Sequence, residues 1–159
     1  MLLCVWAVRV KHRSLVMLTA VSMLLLEAPA LARSLFVVPP TQVTIHNPES
    51  TENTLNRTTI SVVVPADAGQ GLGSIVLRQL PNIDQWDWGR SEPRVYYGEY
   101  ALRAKGEIGR ASAAVMDSGG VLRIQLTPAV QPGQTVNVVF RGTNPDSSIY
   151  QWSTELFAE

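Results

Sequence analysis

The 159-residue chain has one cysteine, Cys4, and two histidines, His12 and His46. Residues 33–159 therefore contain no cysteine, which excludes disulfides, thiol catalysis and thiolate metal centres from that stretch. Histidine is almost as scarce there, since only His46 remains. A serine triad would need that histidine beside a serine and a carboxylate, and no Gly-x-Ser-x-Gly elbow is present. Charge of one sign is also lacking. The whole chain carries 13 Lys and Arg against 13 Asp and Glu. Such a balance gives no electrostatic reason to bind nucleic acid or an anionic membrane. Long apolar runs are missing too. The longest, Ser14 to Leu26, falls short of the roughly 20 residues needed to span a bilayer.

What is present begins with that run. Arg9, Lys11 and Arg13 precede it, and Ala30-Leu31-Ala32 follows Glu27 and Pro29. A basic cluster, a short apolar core and small residues at Ala30 and Ala32 have the order of an export signal. Cleavage is expected after Ala32, with 1–32 as signal peptide and 33–159 as a single domain. An uncleaved N-terminal anchor is the competing arrangement. The apolar opening Met1 to Val8 is unusual for a signal, and a start at Val10 would give a more ordinary one. Removing Arg9, Lys11, Arg13 and Glu27 leaves a net charge of about −2.

The rest reads as strands. Apolar residues alternate in Thr41–His46, Thr59–Val64, Gly73–Leu80, Val121–Leu126, Thr135–Arg141 and Ile149–Phe157. This period of two places Ile60, Val62 and Val64, or Leu122, Ile124 and Leu126, on one face of each strand. Turn residues separate the runs: Asn47-Pro48, Asp67 to Gly73, Ser118-Gly119-Gly120, Pro132-Gly133 and Asn144-Pro145-Asp146. Pro132-Gly133 has the chemistry of a type II turn. One-sided strands at this spacing predict an all-β, antiparallel, immunoglobulin-like β-sandwich. Between Pro81 and Arg110 the alternation fails. The Glu99 and Arg103 spacing allows one short helix near Arg94 to Ala104 in this central crossover, with Gly98 opposing a long one.

Phe36-Val37-Val38-Pro39-Pro40, Val64-Pro65-Ala66-Asp67-Ala68-Gly69 leading to Ile75-Val76-Leu77, and Pro128 to Val136 followed by Asn144-Pro145 and Ile149-Tyr150 form an ordered series. In this the chain resembles an uncharacterised exported family known mainly from cyanobacteria, domain of unknown function 2808. The resemblance implies an N-terminal signal, a mostly β domain and no assigned activity or functional residues.

The candidate site is Asp84-Gln85-Trp86-Asp87-Trp88-Gly89-Arg90. Two tryptophans flanking an aspartate suit an aromatic platform for sugar rings or an apolar peptide. Trp86, Asp87, Trp88 and Tyr97 are its expected ligand-binding residues, with Tyr96 and Tyr100 as extensions. The alternative is that these aromatics plug the sandwich mouth. Asp84, Asp87 and Glu92 lack the spacing of a calcium loop, and Gly69-Gln70-Gly71-Leu72-Gly73 lacks the lysine and helix of a phosphate loop. Asn56-Arg57-Thr58 is a formal glycosylation sequon that reads as chance. No catalytic residue, metal or cofactor is expected. The expectation is an exported, periplasmic or cell-surface, non-catalytic module, structural or interacting. Its partner would be an envelope protein or a polysaccharide, with no nucleic acid. The rival is a carbohydrate- or peptidoglycan-binding module built on Trp86 and Trp88. A hydrolase with dispersed carboxylates stands third.

Overall fold

Alternating apolar side chains form strands in this protein where one face can be buried against the opposing sheet. The computed structural model describes residues 35–103, 108–115, 120–146 and 149–159, which lie within the compact unit Ala32–Glu159. The expected signal segment 1–32, with Ala30 and Ala32, lies outside the described residues. Among the described residues nine strands follow in chain order: β1 (Gln42–His46), β2 (Leu55–Val63), β3 (Leu72–Gln79), β4 (Arg94–Tyr97), β5 (Ile108–Gly109), β6 (Ala111–Val115), β7 (Val121–Val130), β8 (Thr135–Thr143) and β9 (Trp152–Ala158). Every pairing is antiparallel.

Two sheets result, ordered β1-β2-β8-β4-β5 and β6-β7-β3-β9. The core lies between them. Ile60, Val62, Val95, Val136, Val138 and Phe140 from the first sheet meet Ile75, Leu77, Leu122, Ile124 and Leu126 from the second. Val43 and Ile45 of β1 and Trp152 and Leu156 of β9 pack at its margin. The sandwich is therefore the one the alternation predicts. An immunoglobulin connectivity is not established. In that fold the last strand lies beside its predecessor, whereas β9 here lies beside β3.

The Pro132-Gly133 turn has the expected geometry in a less expected place. The Gln134 amide donates to the Gln131 carbonyl across it at 3.2 Å, and Gly133 has φ of 84°. It joins β7 to β8, strands of different sheets, so it turns a corner of the sandwich. The Gly133 amide also donates to the Val64 carbonyl at 3.0 Å and pins that corner.

The short helix near Arg94 to Ala104 is a correction. Among the described residues there is no helix, and Arg94–Tyr97 is strand β4, paired with β8. An i,i+4 ion pair stabilises a helix by only a few tenths of a kcal/mol. Burying Val95 on the inner face and Tyr96 on the outer one, each nearly solvent-free, outweighs it. Gly98, at φ of 110°, then turns the chain out of the strand.

Candidate functional site

The crossover from β3 to β4 delivers the tryptophans to one mouth of the sandwich. Trp88 enters the core, 4% exposed, with its ring 5.1 Å from Phe140 of β8 and 5.2 Å from Trp152 of β9. These tilted, edge-on contacts suit the quadrupoles of aromatic rings. Trp86 lies outside it, half-buried, 6.1 Å from both Trp88 and Trp152 and 5.2 Å from Tyr150. The Trp86 amide donates to Gln79 Oε1 at 2.8 Å, while Gln79 Nε2 donates to the Asp84 carbonyl at 2.7 Å. Trp86 Nε1 is buried with no hydrogen-bond partner among the described residues. Burial, then the carboxylates of Asp84, Asp146 and Glu52, push the Tyr150 hydroxyl above its ordinary pKa.

Asp87 fastens this plug. Its Oδ1 accepts the Gly89 amide at 2.8 Å and its Oδ2 accepts the Thr143 amide at 2.9 Å. Both carboxylate oxygens thus hold backbone. The strap also lies hard against β8. A Cβ on Gly89, whose φ is 74°, would fall 1.8 Å from the Arg141 carbonyl oxygen. One on Gly142 would fall 1.8 Å from the Asp87 carbonyl oxygen. Only glycine fits at either point.

Of the four expected ligand-binding residues, the structure brings Trp86, Asp87 and Trp88 together. Tyr97 stands apart, opposite Val136 and packed against the core at the other end of β8. Tyr96 and Tyr100 turn to the outer face of the five-stranded sheet. The Tyr96 hydroxyl donates to the Ala101 carbonyl at 3.1 Å and accepts the Ala101 amide at 3.2 Å. Tyr100 stacks on His46 with ring centroids 3.5 Å apart and planes 3° apart. Burial holds the His46 imidazole below its ordinary pKa. Beneath this cover Asn137 is wholly buried. It accepts from Ser61 Oγ at 2.5 Å and donates to the Gly98 carbonyl at 2.7 Å.

The sequence missed Gln79, Phe140, Thr143 and Tyr150 as parts of the plug. Phe140 was legible only as a core position, and backbone partners such as Thr143 carry no composition signal. The sequon falls inside another network. Asn56 is 5% exposed, and its Nδ2 donates to Asn47 Oδ1, to the Glu49 carbonyl and to Asn144 Oδ1. Asn56 is thereby spent on tying β2 to the turn after β1 and to the end of β8. A cavity of about 830 Å³ opens elsewhere, between β4–β5 and β6, lined by Tyr96, Ile108, Arg110 and Thr127 among others. It does not touch the tryptophans. Among the described residues no cluster of His, Cys, Asp and Glu is arranged to hold a metal ion.

The architecture and its plug define an all-β, two-sheet antiparallel sandwich closed at one mouth by aromatic side chains. By its sequence, the chain belongs to the family described as protein of unknown function (DUF2808), whose model matches residues 33–159. A search of the curated proteins found no match.

Proposed function

We propose that the protein is exported and acts in the cell envelope as a non-catalytic interaction module. The reading is supported most by the use made of its best candidate site. Trp88 is sealed in the core and both Asp87 oxygens hold backbone amides, so the motif is spent on building the scaffold. Contact with a partner then falls to the sheet faces and edges. The order of Arg9, Lys11 and Arg13, the apolar run and Ala30-Leu31-Ala32 supports export.

Envelope fractionation of the host with N-terminal sequencing tests the location, and the expected mature terminus is Arg33. Recovery in the cytosol with residues 1–32 attached would remove the reading. Turnover of any substrate by purified protein, abolished by a point substitution, would overturn the non-catalytic part.

A glycan-binding module is the second reading, favoured by Trp86 alone. Its ring is half-buried, set edge-to-face against Tyr150 at the protein surface, where a sugar ring can stack. Tryptophan fluorescence titrated with envelope polysaccharides separates the two. A saturable shift that disappears in Trp86→Ala supports the glycan reading, and its absence supports the first.

A further inference from the structure

The outer face of the five-stranded sheet carries a feature that the aromatic plug does not explain. On the β2–β8 ladder Arg57 stands directly opposite Arg141. On the β8–β4 ladder Arg94 stands opposite Val139, two residues before Arg141 and so on the same face. Three guanidinium groups therefore rise from three adjacent strands. With Ser91, Glu92 and Val139 they line a cavity of about 260 Å³.

Like charges directly opposite one another on a sheet are unfavourable, and here a third lies on the next strand. Among the described residues no side chain pairs with Arg94 or Arg141. Arg57 directs Nη1 to the Leu102 carbonyl at 2.8 Å, which orients the group and leaves its charge unmatched. Among the described residues of the lining Glu92 is the one carboxylate, so three cations face one anion there.

We propose that this cavity binds a tetrahedral oxoanion, a phosphate or sulfate group, either free or as a monoester on a larger molecule. A guanidinium presents its donors in a planar fork and sheds water more easily than an ammonium, which suits oxoanions. A planar carboxylate is satisfied by one such fork. A tetrahedral anion offers oxygens in several directions and can take forks from three strands at once. A dianion also balances the lining charge. The cavity is smaller than the pockets that enclose drug-sized ligands, which matches one anionic group rather than a length of polymer. The proposal does not depend on export or on the tryptophans.

Calorimetric titration of the purified full chain with inorganic phosphate, inorganic sulfate, glucose 6-phosphate and acetate, at constant ionic strength in chloride, tests it. Phosphate or sulfate is expected to bind saturably, at least tenfold more tightly than acetate. Arg94→Gln and Arg141→Gln should each weaken that binding at least tenfold, with Arg78→Gln, on β3, as an unaffected control. Glucose 6-phosphate binding tenfold more tightly than phosphate would point to an ester ligand, and equal affinity to the free anion, both in support. Without anion, Arg141→Gln should melt no lower than the parent, because it removes a like-charge opposition. Absent or non-saturable heat, acetate binding as well as phosphate, or an equal loss in Arg78→Gln would each overturn the proposal.

Discussion

His46 shows how one residue can have two opposite readings. As the last histidine beyond residue 32 it invites a catalytic role, yet its ring lies flat on Tyr100 above the outer face of the sheet. Burial lowers its pKa from 6.5. The folded protein therefore takes up this proton less readily than the unfolded chain does, and stability rises with pH wherever the unfolded state binds more protons. The contribution of the neutral stack is complete above about pH 6.5 and is lost as pH falls through the lower, folded value. His46→Phe keeps an aromatic ring there and cannot titrate. The melting temperature of the parent is expected to fall relative to His46→Phe as pH drops below 6.5, and the gap should close above it. Thermal melts across pH 4–8 in the two proteins measure this. A gap independent of pH would mean that His46 titrates alike in both states.

At the scale of elements, strands with an unbroken period of two were legible, and those that depend on their neighbours were not. Leu122, Ile124 and Leu126 alternate with Arg123 and Gln125, and β7 contains that stretch. The four residues of β4 offer too short a pattern, and Ile108–Gly109 offers none, so both are strands because an adjoining strand has unpaired backbone groups. The cover over the outer face was equally hidden, since sequence gives no sign that residues 98–102 fold back on Asn137, His46 and Arg57. The Tyr96 hydroxyl is the hinge of that cover, bonded to both the amide and the carbonyl of Ala101. Tyr96→Phe keeps the ring and deletes these bonds. It is expected to cost about 1–3 kcal/mol and to speed hydrogen exchange at the Ala101 amide far more than at β2 or β8. Uniform exchange rates across the domain would show that the cover opens only when the whole sheet does.

For the whole molecule the question is what joins two sheets that share no disulfide. Inner faces of Val, Ile and Leu hold the middle, but at one mouth the join is a ring stack reaching from β8 to β9 through Trp88. The chain leaves Trp88 through Gly89, passes Ser91 and Glu92, and enters β4 at Arg94. One strap thus seals the core and supplies residues to the arginine cavity on the outer face. Two tryptophans around an aspartate marked this segment in the sequence, but the same pattern serves a platform or a plug, and only the path of the strap across β8 separates them. Removing a buried aromatic of this size costs about 3–5 kcal/mol, a large share of the roughly 5–15 kcal/mol that holds a domain together. Trp86→Ala should cost less, because Trp86 is only half-buried and its indole nitrogen has no partner among the described residues. Trp88 touches both sheets, so Trp88→Ala should lower the melting of both in a single step, with far- and near-ultraviolet circular dichroism transitions coinciding at a temperature roughly 10–20 °C below the parent. Transitions that separate would mean the sheets are held independently, and equal losses in the two tryptophan variants would mean the plug is shared evenly between them.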